Sequence, residues 1–444
     1  MRDLRRRGII VKKSISIVLP SDVIIFSFID SGAFNSLNEE YQINYIVSPM
    51  VKKPLQGRCT IISLSTKFNI LNKYLGNLFW YTSLFEYHRL RKLAFQQSFK
   101  IMQQPPVWRL VYKILSFPPF NKVIKWLDES VFFFDDPLIE KYLKSTQPQL
   151  LIFPGSAMDS YSHIVARTAN KCKIPSLMLI SHWDFFSKKS VMRFAPTKIY
   201  VWGEDMKKMA LLDRATNKNS IEVVGSPNLD KYRYLVAQDD SIFRSKLGIP
   251  LSAKIILFAG TSVPYDEVSA LQRINFYLEK NDIQDTYIIY RPHPRGWMRK
   301  SKATAQPSNM QFVKIDQPES KNSTTQDHYM QLLSAVDGIV SPFSTMILEG
   351  ALCGKNVLCI SFADSINEFD FSITNTTDHL QNIRNKSWAI VCDSSENFEE
   401  DFANLIKKIA NRKLTNFDIK DIIYYDEKPY PDRLLLRIKK DFSL

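Results

Sequence analysis

The chain has 444 residues, 45% of them hydrophobic and 23% charged, with 13 glycines and 22 prolines. These values exclude wholesale disorder and collagen-like or low-complexity architecture, and the length suits two domains with a core each. The 59 basic and 45 acidic side chains leave a net charge of +14, which points to an anionic partner: nucleotide phosphates, nucleic acid or a membrane surface. Five cysteines, at positions 59, 172, 353, 359 and 392, form no CxxC pair. Neither a disulfide framework nor a structural zinc site is indicated, and a reducing cytoplasm is the expected setting.

The chain opens MRDLRRRGIIVKKSISIVLP. Its basic residues are those of a signal peptide, but Lys12 and Lys13 break the apolar stretch and no small-residue cleavage site follows, so a mature cytoplasmic N-terminus is expected. Asp22–Ile29 reads as the first buried strand, ending in Asp30 of the sequence FIDSGAF. No apolar run approaches the roughly 18 residues that suggest a membrane span. From Val51 to Trp126 there are 13 Lys/Arg against one acid, Glu86, together with fourteen aromatics. Within that segment Asn69–Phe99 lacks proline and carries Leu71, Leu75, Leu78 and Phe85 near helical spacing, so a helix is expected. Cations and large rings on the same helices suit an anionic membrane surface or a lipid-linked acceptor, with a solvated face over an aromatic core as the plainer reading.

Beyond this segment, short apolar runs alternate with helical patterns. Leu150–Phe153, Ser176–Ile180, Lys198–Trp202 and Ile221–Val224 read as buried strands, with helices at Ser160–Lys171 and Asp205–Ala215. A second series follows Pro250: strands at Lys254–Phe258, Thr286–Tyr290, Met310–Lys314, Gly338–Ser341, Asn356–Ile360 and Trp388–Val391. Helices are expected between them at Asp266–Lys280, Gln326–Ala335, Thr345–Cys353 and Asn397–Ala410. Strand–helix repetition of this kind predicts an α/β protein with two facing, doubly wound, Rossmann-like parallel-sheet domains and a ligand held at their carboxyl ends. The expected division is 1–235, with a basic aromatic helical insertion at about 51–126, and 236–429, with the polar stretch Asp230–Pro250 as linker. A final helix over 430–444 is expected to pack back across both domains. Neither GxGxxG nor GxxxxGK[ST] is present, so any phosphates must be held by another device.

Three segments carry candidate chemistry. In VDGIVSPFSTMILEGALCGKNVLCISF, a strand, a turn and a helix stopped by Gly354 follow one another, with Ser344 expected to cap the helix. Such a tip offers free N–H groups to a diphosphate, with the Ser344 and Thr345 hydroxyls as further donors. Glu349, one turn on, is a candidate for the two ribose hydroxyls. In TYIIYRPHPRGW, prolines hold Arg291 and His293 extended, so Arg291, His293 and Arg295 are expected to converge as an anion clamp. In IPSLMLISHWDFFSKK, His182 follows a strand with Asp184 two residues on, a candidate base for a hydroxyl acceptor. Asp30 is the rival base, and Asp159 a weaker one. Gly260, Thr261 and Ser262 follow a strand and would let backbone approach the diphosphate. No HExxH or Cys/His cluster exists, so no metal and no cofactor beyond the substrate nucleotide is expected.

Together, these segments resemble the GT-B glycosyltransferase fold, and more narrowly the CDP-glycerol glycerophosphotransferase family and related bacterial surface-polysaccharide transferases, from about Leu150 to Asp364. The resemblance implies that His182 is the catalytic base, that His293 of RPHP binds phosphate, and that SPFST, Glu349 and Gly354-Lys355-Asn356 form the nucleotide-binding strand–helix unit. Since HP motifs also occur in CMP-sialic acid and CMP-Kdo transferases, the donor (CDP-, CMP- or UDP-linked) stays open. The implied activity is transfer of a sugar or polyol-phosphate group to a cell-surface glycan or lipid-linked acceptor, as in capsule or teichoic-acid-like synthesis, by a cytoplasmic enzyme at the inner membrane face. The alternatives are a nucleotide-sugar epimerase of similar architecture, or a nucleic-acid-binding protein using the basic segment, a partner the transferase reading does not expect.

Overall fold

A computed structural model describes residues 12–64, 74, 77–86, 104–130, 136–155, 159–189, 195–212, 217–234, 239–261, 265–293, 310–316, 326–363, 377–411 and 417–444. The chain forms two compact units, Met1–Asp230 with Lys420–Leu444, and Lys231–Ile419.

The first unit holds a seven-stranded sheet: β1 (Ser14–Leu19), β2 (Gln42–Val47), β3 (Arg58–Ile61), β4 (Leu150–Gly155), β5 (Ser176–Ile180), β6 (Lys198–Val201) and β7 (Ile221–Val223). All pairings are parallel, in the order β3-β2-β1-β4-β5-β6-β7. The inner strands β1, β4 and β5 are buried along nearly their whole length, as helices on both faces require, whereas the edge strand β3 (Arg58–Ile61) is largely exposed. The first strand is therefore β1, inside the opening stretch, where no strand was expected from the sequence. Asp22–Ile29, expected as a strand, is instead an α-turn at Asp22–Ile24 running into a π-helical turn at Ile25–Ile29. Its buried positions, Ile24, Ile25 and Phe28, keep helical spacing. The pattern was hidden because the outward positions Val23 and Phe26 are apolar too. Asn69–Phe99 lies mostly outside the described residues; 77–86 are helical.

The C-terminal stretch belongs to this first unit. Leu434, Leu435 and Ile438 of the Tyr430–Phe442 helix enter the core formed by Ile15, Ile17, Phe28 and Tyr45. The chain leading to the helix is sewn on by its backbone, with Asp205 N–H donating to Asp421 O at 3.0 Å and Tyr424 N–H to Trp202 O at 2.7 Å. A side chain at Gly203 would meet the Asp421 and Ile422 carbonyl oxygens at 2.4 Å, so only glycine permits this approach.

The second unit holds a six-stranded sheet: β8 (Lys254–Ala259), β9 (Thr286–Arg291), β10 (Val313–Ile315), β11 (Gly338–Pro342), β12 (Asn356–Ile360) and β13 (Ala389–Cys392). It too is parallel, in the order β10-β9-β8-β11-β12-β13. Helices Glu267–Lys280 and Phe398–Ala410 pack Leu271, Ile274, Leu278, Phe402 and Leu405 against Ile256, Ile288 and Leu358. The polar stretch at 230–250 contains a helix of its own, Ser241–Leu247, fixed by the buried Arg244, which donates to Asp240 at 2.7 Å and to Ala253 O at 2.7 Å.

In the first unit, Arg433 is 5% exposed and donates to the Asp230 carboxylate at 2.9 Å and to Val224 O at 3.1 Å. The other Asp230 oxygen accepts the Tyr430 N–H at 2.9 Å. Asp230→Ala would leave a buried guanidinium with only the more distant, exposed Asp426 carboxylate at 3.8 Å, a loss of about 3 kcal/mol. The expected outcome is a lower urea midpoint for the variant, with the terminal helix the first segment to gain hydrogen-exchange; an unchanged midpoint would refute this role.

Candidate functional site

In both sheets the strand order reverses beside the first strand, at β1/β4 and at β8/β11. Connections leaving adjacent strands toward opposite faces open a crevice there, which is where doubly wound sheets take ligands. The site candidates of the second unit gather at β8, β9 and β11.

β8 runs out into Gly260 and Thr261. Gly260 N–H donates to Arg291 O at 2.9 Å, and a Cβ there would lie 2.8 Å or less from the Glu267 carboxylate oxygens and the His293 nitrogen. Glycine is required because the ends of β8 and β9 close on each other. Glu267, buried at the start of the Glu267–Lys280 helix, braces this turn: it accepts the Thr261 N–H at 2.7 Å and the Tyr290 hydroxyl at 2.5 Å. Burial raises its pKa against the pull of those two bonds. Gly260, Thr261 and His293 are thereby brought together. Ser262 and Arg295 lie outside the described residues.

The expected convergence of Arg291 with His293 takes a different form. Arg291 Nη1 pairs with the Asp316 carboxylate at 2.5 Å, and the guanidinium lies 5.1 Å from the Tyr329 ring centroid. Asp316 follows β10, is 4% exposed, and its other oxygen meets His328 Nε2 at 2.8 Å. The Arg291 charge is thus already balanced inside the unit.

After β11, Ser341 Oγ bridges to Ala259 O at 3.2 Å and to Ser344 Oγ at 3.1 Å, linking the β8 and β11 tips. Ser344 does not cap the following helix. The helix is Met346–Leu352, and Thr345 holds the cap position without a side-chain cap bond. Its hydroxyl serves Glu349 instead. Gly354 does end the helix in the left-handed conformation, with φ of 67°. Glu349 receives the hydroxyls of Tyr329 and Tyr232 as well as Thr345, with Lys231 nearby. Burial nonetheless outweighs these donors and pushes its pKa up; the same burial pushes Lys231 down. Tyr232 and Tyr329 pack edge to face at 6.2 Å.

Sequence reasoning missed Lys231, Tyr232, Asp316, His328, Tyr329 and Glu267. Asp316 carried a usable signal, being an acid directly after a strand at the same sheet edge as Arg291. The tyrosines carried none, since they reach Glu349 only through folding.

In the first unit His182 and Asp184 follow β5 and flank the buried Trp183; both are half-buried. Ser181 Oγ donates to Gly155 O at 2.9 Å, tying this turn to the end of β4. Asp30 does not follow a strand. It ends the helical segment, and its carboxylate pairs with Lys53. Asp159 caps the Ser160–Lys171 helix, accepting Tyr161 N–H at 3.0 Å and Ser162 N–H at 3.2 Å, and burial raises its pKa.

Two Rossmann-like parallel-sheet units wound in this way define a GT-B-type architecture, and solved structures agree over nearly the whole chain. A putative UDP-N-acetylglucosamine 2-epimerase from Listeria monocytogenes matches with a TM-score of 0.59 at 11% identity, covering 97% of each chain. The MnaA–UDP structure from S. aureus matches with a TM-score of 0.55 at 11% identity, again covering 97% of each. The UDP-GlcNAc 2-epimerase from Methanocaldococcus jannaschii matches with 0.55 at 14% identity, covering 96% of this chain and 99% of that one. At such identities the likeness is one of fold. More narrowly, residues 198–367 match the family described as CDP-Glycerol:Poly(glycerophosphate) glycerophosphotransferase. No curated protein matches the chain.

The raised carboxyls set a pH dependence. In the unfolded chain a glutamate titrates near 4.5, whereas Glu349 and Glu267 keep their protons to higher pH when folded. Unfolding then releases protons, and stability falls as pH climbs from about 4.5 through the raised values. Glu349→Gln is expected to flatten the fall of the thermal midpoint as pH rises above about 4.5, measured by calorimetry. A slope identical to wild type would show that Glu349 ionises normally.

Proposed function

We propose that the protein is a GT-B transferase that moves a sugar or polyol-phosphate group from a nucleotide-activated donor to a surface glycan or lipid-linked acceptor. The observation that carries this reading is the gathering of Gly260, Thr261, His293, Ser344 and Thr345 at the β8/β9/β11 tips, within the segment that matches the glycerophosphotransferase family. The acceptor oxygen attacks the electrophilic centre of the donor, the anomeric carbon of a sugar or the phosphorus of a polyol phosphate. The bond from that centre to the nucleotide's phosphate oxygen breaks, and the acceptor proton passes to a base. His293, the Ser344 hydroxyl and, outside the described residues, Ser262 and Arg295 are assigned to the donor phosphates, so that charge on the leaving nucleotide is met as it develops, while the Thr345 hydroxyl stays with Glu349. This assignment needs no metal. Arg291 positions the site through Asp316 and Tyr329. Glu349 is assigned to the ribose, with the Tyr232 and Tyr329 hydroxyls giving way to the sugar hydroxyls. His182 is the proposed base, oriented by Asp184, with Asp30 and Asp159 as rivals.

An epimerase shares the fold, and the structural neighbours named above include such enzymes; the family match of residues 198–367 favours transfer. A thermal-shift screen against UDP, GDP, CMP and CDP tests the donor site. One nucleotide is expected to raise the midpoint, and His293→Ala to weaken its binding about tenfold, one charge-assisted bond's worth. His182→Ala should leave that shift intact while lowering transfer by about 10²–10⁴. If no nucleotide binds, or a nucleotide-sugar is epimerised without acceptor, the transferase reading fails.

A further inference from the structure

Between Pro106 and Ser130 the first unit carries two short helices, Pro106–Leu115 and Phe120–Ser130. One side of the pair is anchored. Tyr112 is buried, stacked on Tyr81 at 4.8 Å and on Trp108 at 5.8 Å, and Gln104 donates to the Tyr81 hydroxyl at 2.7 Å. On the second helix Ile124 is buried, and the Asn121 amide donates to Glu86 at 3.0 Å.

The other side faces outward and is apolar. Val107, Leu110 and Ile114 stand at helical spacing on the first helix, Phe117 in the turn, and Phe120, Val123 and Trp126 on the second; all are 43–71% exposed. A helix pair that merely covered a core would place polar groups there. With Trp108, this stretch holds eight of the 20 exposed large hydrophobics among the described residues, so they form a patch and not a scatter. The two helices carry four cations, Arg109, Lys113, Lys122 and Lys125, against Asp128 and Glu129 near the end of the second, so they keep a net positive charge. Lys113 and Lys122 are exposed beside the apolar row.

The charge decides the occupant. A second copy of the chain would bring like charges together on this face, and a nucleic acid has no use for Val107, Leu110, Ile114 and Val123. Among the described residues no helix is long and apolar enough to cross a membrane. We propose that the outward face of these two helices docks on an anionic lipid bilayer. The helices lie in the interfacial plane, their rings and aliphatic side chains at the acyl boundary and their cations on headgroup phosphates. This inference stands independently of the transferase reading.

The test uses the full chain in flotation with vesicles of phosphatidylglycerol and phosphatidylcholine, against phosphatidylcholine alone. Wild type is expected to float with the anionic vesicles. The double variant Leu110→Glu/Val123→Glu should lose about tenfold in partitioning, as removal of interfacial apolar area requires. Lys113→Gln/Lys122→Gln should bind wild-type levels only at lower salt. Because a glutamate pair can perturb folding, Leu110→Ser/Val123→Ser serves as the milder variant, and brominated lipids should quench tryptophan emission in wild type and less in Trp126→Phe. Recovery of wild type only in the soluble fraction at low salt overturns the proposal, as does equal flotation of the glutamate variant. A wild-type dimer that the glutamate variant dissolves, without vesicle binding, would assign the face to a second copy.

Discussion

Reversal of winding at the first strand of a parallel sheet governs where this protein can do chemistry. In the second unit β8 has β9 on one side and β11 on the other, so the chain segments leaving β8 and β11 part toward opposite faces. Backbone at the parted tips is left without sheet partners and must be satisfied locally. Glu267 does so for Thr261, and Ser341 does so between Ala259 and Ser344. The polar groups at this edge therefore serve the fold before any ligand arrives, and Gly260 is fixed as glycine because the β9 backbone passes against it.

Around that edge the charges are buried in compensated sets. Arg291 is matched by Asp316, and Asp316 in turn by His328. Glu349 has three hydroxyl donors and a lysine nearby, yet burial still favours its neutral form. A carboxyl so placed can exchange one set of hydroxyl partners for another at small cost, because phenol and ribose hydroxyls are alike as donors. Full ionisation in the same place would require a stronger counter-charge than Lys231, whose own charged form burial disfavours. Hydrogen bonding, more than ion pairing, is what this carboxyl offers a ligand.

The second sheet was legible in the sequence strand by strand, closely at Lys254–Phe258, Gly338–Ser341 and Asn356–Ile360, which are short apolar runs ended by glycine, proline or polar residues, and less so at Met310–Lys314, where the strand is Val313–Ile315. The strand–turn–helix at Ser341–Leu352 was legible for the same reason, down to its terminating Gly354. The first unit was harder. SISIVL follows Lys12 and Lys13 directly and interrupts its apolar residues with serine, while DVIIFSFI is apolar on both its faces and so imitates a buried strand. Only its seat beside β1 selects the helical form. The phenols on Glu349 lie beyond any local reading, for Tyr232 and Tyr329 are 97 residues apart and meet through tertiary packing alone.

The unequal distribution of charge follows from what each surface does. The sheet units neutralise their buried charges pairwise, as at Asp230–Arg433 and Arg291–Asp316, and so contribute little field outside themselves. The segment from Val51 to Trp126, with 13 cations against Glu86, has no such internal balance, and Glu86 itself is engaged by Asn121. Exposed cations such as Lys113 and Lys122 beside exposed rings are best satisfied against a surface that is anionic outside and apolar just beneath. Aqueous solution satisfies the cations but not Leu110, Val123 and Trp126, and a protein core satisfies those three but not the cations. A lipid interface satisfies both, and does so without the chain having to span it.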